Sequence, residues 1–275
     1  MKVALLGDVH ANLPALEAVL AHIHTLDIKK IWNVGDFVGY GAFPNEVIQR
    51  LRQADAVSIV GNYDLKVVHF PEKEAKWRKS KLPGKFLAFQ WAHQELTPDN
   101  RRYLAKLPEE VRMKIAGWRV LLTHGSPGSI EEHLTPDTPD ERLAELVRMA
   151  RTDVMICGHS HQPFARPVGQ AWVINTGSVG RPGDGDPRAC YATMIINKKG
   201  LAVQHYRVEY DVARAADAVR RKGLPEAFAQ MFLQGYDLET IAGEASNEAG
   251  VDAGGEEEVI TLTPPEPDGA ENLAG

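Results

Sequence analysis

Five short segments of the chain concentrate side chains that can hold a metal ion. They are Gly7-Asp8-Val9-His10, Gly35-Asp36-Phe37-Val38-Gly39, Gly61-Asn62-Tyr63-Asp64, Thr123-His124-Gly125-Ser126 and Gly158-His159-Ser160-His161. Carboxylate oxygens and imidazole nitrogens together suit Mn, Fe or Zn, and a carboxylate can bridge two such cations. The Asp8-x-His10 and His159-x-His161 pairs would chelate from one side of a turn, and the glycines beside the ligands let the backbone approach an ion closely. Taken singly, each segment has an ordinary reading: an Asp after a strand caps a turn, and a lone His is more often a satisfied core or surface residue. Coincidence explains poorly why five such turns all fall at the ends of predicted strands.

Those strands are legible as short runs rich in Val, Ile and Leu. Lys2 to Leu6, Lys30 to Val34 and Ala56 to Val60 are each followed within a few residues by Gly and then Asp or Asn. Between them, Leu13 to Ile23 has apolar residues at helical spacing behind the cap residue Asn12, and Pro44 to Gln53 repeats the pattern. Strand, helix, strand, helix, strand predicts a parallel sheet whose ligands lie beyond the carboxyl ends of the strands. Residues 64 to 107 form a helical insertion, with ten Lys or Arg against five acids and the aromatics Trp77, Phe86, Phe89 and Trp91, which either stack a base as a lid or form a small core of their own. Val111 to Ile115, Arg119 to Thr123 and Val154 to Cys157 read as strands, and Thr138, Pro139 and Glu141 as a capping box opening a helix. Trp172 to Asn175, Tyr191 to Ile196 and Leu201 to Val208 predict a second, mostly antiparallel sheet, the last two joined by the turn Asn197-Lys198-Lys199-Gly200. Asp211 to Arg221 and Pro225 to Leu233 close the domain as helices.

At 275 residues and 44% hydrophobic, the chain has enough apolar residues for a full core, so residues 1–242 are expected to be a single domain. Two cysteines, Cys157 and Cys190, make neither a disulfide framework nor a thiolate cage, and both read as reduced and buried. No segment has the apolar length to span a membrane, so a cytoplasmic protein is expected. The net charge of −6 is uneven: residues 243–275 hold nine acids and no Lys or Arg, leaving +3 on the body. That tail is expected to be disordered, and the body is too weakly basic for a dedicated partner of long nucleic acid.

The segments, in the order Asp-x-His, Gly-Asp-x-x-Gly, Gly-Asn-x-Asp, His and Gly-His-x-His, resemble the signature of the calcineurin-like metallophosphoesterases over about residues 1 to 208. Asn175-Thr176-Gly177-Ser178-Val179-Gly180-Arg181-Pro182 is similar to a loop typical of the compact bacterial and archaeal phosphodiesterase branch. The resemblance implies an α/β fold, a two-sheet β-sandwich flanked by helices in four αββα layers. It implies two metal ions, one held by Asp8, His10 and His161 and the other by Asn62, His124 and His159, with Asp36 bridging. It implies hydrolysis by in-line attack of a hydroxide between cations about 3.5–4 Å apart. The implied catalytic set is Asp36, Asn62, the residue at 63, Asp64 and His124.

One position departs from the pattern. Many members have Gly-Asn-His-Asp, whose His acts as general acid or contacts the phosphate and is oriented by the Asp; here it is Tyr63. A phenol of ordinary pKa near 10 is a poorer acid at neutral pH, which predicts a bias toward good leaving groups, unless Tyr63 is only an aromatic wall. His69 and His93 are candidate replacements, and His133 has no motif context. Arg181 is a candidate phosphate contact as well as a loop staple, and Arg188 reads as a staple.

The expected substrate is a small phosphoester. A phosphodiesterase on small or nucleotide-like diesters leads; phosphomonoesterase or serine/threonine protein phosphatase-like activity comes second. A non-catalytic interaction module, as in the retromer subunit of this fold, is disfavoured by the complete ligand set.

Overall fold

The computed structural model describes residues 1–244 and 261–262. The chain begins with β1 (Lys2–Leu6), in which Val3 to Leu6 are fully buried. Helix α1 (Leu13–Thr25) follows; Asn12 Oδ1 accepts the Ala15 N–H at 3.2 Å, and Leu16, Val19, Leu20 and Ile23 turn inward. Then come β2 (Ile31–Asn33), α2 (Pro44–Gln53) and β3 (Val57–Ser58), and the three strands run parallel.

Between β3 and the next strand lie α3 (Asn62–Val68), α4 (Phe70–Ser80), α5 (Pro83–Glu95) and α6 (Pro98–Lys106). Their aromatics pack on one another: Trp77 sits 5.6 Å from Phe89 and 6.2 Å from Phe70, ring centre to ring centre. His69 and His93 are not brought to the ligand turns. His69 is exposed beside Glu72 at 3.3 Å, and His93 lies between the Val67 carbonyl and Arg101.

The second half runs through β4 (Glu110–Ile115), β5 (Trp118–Thr123), α7 (Asp140–Ala150), β6 (Val154–Cys157), β7 (Phe164–Val168), β8 (Ala171–Asn175), β9 (Ala189–Asn197) and β10 (Gly200–Val208). Helices α8 (Val212–Arg221), α9 (Glu226–Gln234) and α10 (Leu238–Glu244) follow, and a two-residue strand β11 (Thr261–Leu262) pairs with β10. Of the acidic stretch 243–275, positions 245–260 and 263–275 lie outside the described residues.

Two mixed sheets stack, in the orders β11-β10-β9-β1-β2-β3 and β4-β5-β6-β8-β7. Val3, Leu5, Val34, Leu122, Ile156, Ile174 and Met194 fill the space between them. Helices α1, α2, α8 and α9 contribute to the core on the outer face of the first sheet, and α7 to that on the second. This is the four-layer α/β sandwich.

Three expectations are corrected. Tyr191–Ile196 and Leu201–Val208 do not join Trp172–Asn175 in a second sheet: β9 pairs antiparallel with β1, placing both strands in the first sheet, while β8 pairs with β6 and β7 in the other. Alternation decides this, because Ala192, Met194 and Ile196 face the inter-sheet core while Tyr191 faces the helices. Strand β7 has no counterpart among the predicted elements, since Pro167 and the neighbouring Arg166 mask an edge strand. The capping box at 138–141 does not form: Thr138 Oγ1 accepts the Thr135 N–H at 2.8 Å and closes the preceding turn, so α7 starts at Asp140 with Pro139 as its N-cap and no side-chain cap.

Candidate metal centre

Every ligand turn leaves the same edge of the sandwich. Asp8 and His10 follow β1, Asp36 follows β2, Asn62 opens α3 after β3, His124 follows β5, and His159 and His161 follow β6. All seven side chains are buried. Asp8, His10, Asp36, His159 and His161 have φ of 54, 48, 54, 67 and 61°, the left-handed region that costs a side-chain-bearing residue about 1 kcal/mol or more. Backbone strain on five of the seven is held in place by tertiary contacts, as at functional sites.

The contacts are specific. The Asp8 N–H donates to the Gly35 carbonyl and the His10 N–H to the Asp36 carbonyl, both at 3.0 Å, stitching the first turn to the second. Each carboxylate gives one oxygen to the backbone and turns the other to the histidines. Asp8 Oδ2 accepts the His159 N–H at 3.1 Å, while its Oδ1 lies 3.2 Å from His161 Nε2. Asp36 Oδ1 accepts the Tyr63 N–H at 2.8 Å, while its Oδ2 lies 3.7 Å from His10 Nε2 and 3.6 Å from His124 Nε2. Gly61 is required by this closeness, because a Cβ there would lie 2.1 Å from Asp36 Oδ1.

Three imidazoles have their tautomer set by a carbonyl. His10 Nδ1 meets the Val38 oxygen at 3.1 Å, His124 Nδ1 the Val34 oxygen at 2.8 Å, and His161 Nδ1 the Arg181 oxygen at 2.6 Å. A carbonyl only accepts, so each Nδ1 carries the proton and each Nε2 presents a lone pair. Those lone pairs converge: His10 Nε2 and His161 Nε2 are 3.2 Å apart, and His124 Nε2 is 3.3 Å from Asn62 Oδ1. Acceptors facing acceptors in a buried space call for cations between them, and Asp8 Oδ1 is a buried acceptor with no hydrogen-bond partner among the described residues. One ligand atom each from Asp8, His10 and His161 lies within 4.8 Å of the others, and likewise for Asp8, Asp36 and His124.

The charge states of His10, His159 and Asp8 agree with ligation, whereas burial raises the Asp36 carboxyl above its ordinary value. Burial holds His10 well below the ordinary imidazole value, aided by the charge of Arg181, and lowers His159 to about 3, aided by His124 and His133. Burial would raise the Asp8 carboxyl, but His161, His124 and His10 outweigh it and hold it well below the ordinary value. Neutral imidazoles and an ionised carboxylate are the forms that bind metal.

His159 stands slightly apart. Its ring is 5.0 Å from His124, but its Nε2 lies 3.2 Å from the Glu131 carbonyl. Asp64 accepts the N–H groups of Phe37, Val38 and Gly61, clipping the Asp36 and Asn62 turns together. Tyr63 is buried, its hydroxyl 2.8 Å from that of Tyr40, and burial pushes its phenol well above the ordinary value. Arg188 is tied to Asp186 at 2.9 Å. The Arg181 guanidinium lies on the Tyr40 ring, 4.7 Å from its centre.

The sequence profile of the Calcineurin-like phosphoesterase superfamily domain matches residues 1–199. The chain belongs to that superfamily. A relative from Methanocaldococcus jannaschii, named uncharacterized protein MJ0912, is 34% identical over 241 residues, 82% of this chain and 94% of that protein. The crystal structure of a metallophosphoesterase from Sphaerobacter thermophilus is 30% identical with a TM-score of 0.67, covering 86% of this chain and 99% of its own. More distantly, the phosphodiesterase YfcE of Escherichia coli is 25% identical over 201 residues, 68% of this chain and 84% of that protein.

In this member of the superfamily, further residues around the centre hold the ligands in place. Glu131 Oε2 accepts from Asn62 Nδ2 at 2.9 Å, which leaves the Asn62 oxygen turned to His124, and Lys66 holds Glu131 at 2.8 Å. His133 meets the His159 ring edge-on at 4.2 Å. Asn175 Nδ2 donates to the Gly158 carbonyl at 2.8 Å, and Ser178 Oγ to the Asp8 carbonyl at 2.7 Å, so the 175–181 loop clamps both ligand strands' ends. The polar run Glu131-Glu132-His133 was the sequence signal for Glu131 and His133, as the Asn175–Pro182 loop was for Asn175 and Ser178. No described helix is long and apolar enough to cross a membrane.

Proposed function

We propose that the chain is a dinuclear-metal phosphodiesterase acting on small or nucleotide-like diesters. Asp8, His10 and His161 would hold one ion, Asn62, His124 and His159 the other, with Asp36 placed between the two sets. The observation that carries this reading is the convergence of imidazole lone pairs on buried carboxylates and on the Asn62 oxygen, with His10 and His161 facing each other at 3.2 Å. When bound, the ions lower the pKa of a water and neutralise charge on the phosphoryl group; the donors suit Mn, Fe or Zn.

The protein's own groups do the rest. The carbonyls of Val38, Val34 and Arg181 fix three imidazole tautomers, Glu131 turns the Asn62 amide, and Asp64 locks two turns. The rim supplies one guanidinium, Arg181, without a carboxylate partner among the described residues. Tyr63, with its hydroxyl engaged by Tyr40, offers a less acidic donor than imidazole, which suits leaving groups that depart without protonation. The relative YfcE, named a phosphodiesterase, supports the same class.

The test compares bis(p-nitrophenyl) phosphate with p-nitrophenyl phosphate across Mn, Fe and Zn, with Asp36→Asn as the blank. Faster turnover of the diester is expected. A preference for the monoester would move the protein to the phosphomonoesterase reading. Loss of all turnover with metal still bound would favour a non-catalytic module.

A further inference from the structure

The donors around the metal centre are almost all engaged. The Tyr63 hydroxyl is bonded to Tyr40, the Asn62 amide to Glu131, and Lys66 to Glu131. Arg181 differs. Its guanidinium rests 4.7 Å above the Tyr40 ring and 5.9 Å from the Tyr63 ring, and these two rings lie 6.1 and 5.2 Å from His10. Its Nε is buried with no hydrogen-bond partner, and no ion pair to it is found among the described residues, whereas the nearby Arg188 and Arg207 both meet carboxylates. The charges that face it are those of Asp36 and Asp237, besides the two phenols.

The backbone fixes this residue from several sides. The Arg181 N–H donates to Ser178 Oγ at 2.8 Å, its carbonyl receives His161 Nδ1 at 2.6 Å, and the neighbouring Gly180 carbonyl accepts from Asn12. A partly buried guanidinium on an aromatic platform is a preorganised, permanently charged donor for an oxyanion, and it has no proton to give at neutral pH.

We propose that Arg181, seated on the Tyr40–Tyr63 pair, contacts the leaving oxygen of the substrate, and that this fixed charge assists departure in place of proton donation from position 63. The assignment rests on the phosphodiesterase reading. The oxygen of water forms the new bond to phosphorus while the P–O bond to the leaving group breaks. The electron pair of that bond stays on the leaving oxygen, which departs as an oxyanion against the guanidinium. The proton shed by the water and the proton later gained by the leaving oxygen both pass through solvent. Tyr63 serves as platform. His133, edge-on to the His159 ring, is not part of this contact.

The experiment is a leaving-group series of aryl and alkyl phosphodiesters with wild type, Arg181→Met, Arg181→Lys, Tyr63→Phe and His133→Asn, with metal content and thermal unfolding measured for each. For Arg181→Met, kcat/KM is expected to fall about 10²-fold or more on poor leaving groups and less on p-nitrophenolate, steepening the dependence on leaving-group pKa. Arg181→Lys should recover part of that, and Tyr63→Phe and His133→Asn should keep the wild-type slope. An equal fall across the series in Arg181→Met, or a slope that follows Tyr63 or His133, overturns the assignment. Calorimetry of inorganic phosphate binding to the metal-loaded protein provides a readout that does not need turnover. Roughly tenfold weaker binding in Arg181→Met is expected, and unchanged binding would likewise overturn the contact. Because that readout stands when no diester is hydrolysed, failure of the phosphodiesterase reading is distinguishable from failure of the Arg181 contact.

Discussion

His10 and His161 face each other Nε2 to Nε2 across 3.2 Å, each with its Nδ1 proton held by a backbone carbonyl. Two lone pairs at that distance repel unless a cation lies between them, so the fold of the ligand turns is linked to metal binding. A metal present at 1,000 times its dissociation constant stabilises by about 4 kcal/mol. For a domain of this size that corresponds to a rise of roughly 8–16 °C in Tm. Differential scanning calorimetry of metal-loaded and chelator-treated protein checks it, and superimposable transitions would count against the linkage.

Gly61→Ala places a methyl group 2.1 Å from Asp36 Oδ1 and 2.2 Å from the Asp36 nitrogen. Since the backbone atom cannot swing away, Asp36 must shift. A destabilisation of about 1–3 kcal/mol is expected for such overpacking, together with loss of bound metal measured by elemental analysis. Retention of full metal content would show that the turn is softer than these contacts imply.

Glu131 is half outside the centre yet sets the direction of the Asn62 amide. Glu131→Ala should weaken metal binding about 10- to 100-fold, as removal of outer-shell partners does. The effect should fall on one of the two ions, visible as a split in the titration curve. Glu131→Gln retains an acceptor and should recover most of the affinity; equal weakening in both variants would point to the Lys66 ion pair instead.

His205 lies away from the ligands, its Nε2 bonded to the Asn175 carbonyl at 2.7 Å and its Nδ1 buried without a partner. Burial, aided by Arg207, pushes it down to about 4 from 6.5. Between those values the unfolded chain binds a proton that the folded one does not, so stability falls as pH drops from 6.5 toward 4 and levels off below. The loss is on the order of 3 kcal/mol. Denaturant titrations of His205→Gln should show a flatter profile in that window, and a profile parallel to wild type would remove His205 as the cause.

The metal-ligand types and the strand-end turns that carry them were readable from the chain, because Asp-x-His and His-x-His pairs are local and a Gly beside each is a local backbone requirement. The β-α-β-α-β opening was readable for the same reason, since apolar periodicity and the Asn12 cap act within a dozen residues. Sheet membership was not. The residues of β9 and β10 satisfy either sheet by composition, and only pairing of Lys2 with Ile195 and Val3 with Met194, across nearly the whole sequence, selects the first.

By itself the sequence determined which residues have the chemistry to bind metal and the class of fold able to gather them. Tertiary structure decided the state of each group. The tautomers of His10, His124 and His161 depend on carbonyls 28, 90 and 20 residues away. The engagement of Tyr63 depends on Tyr40, the Asn62 amide on Glu131, and the seat of Arg181 on both tyrosines. A side chain's protonation, orientation and availability are set by its nearest neighbours in space, and in this fold those neighbours come from distant turns.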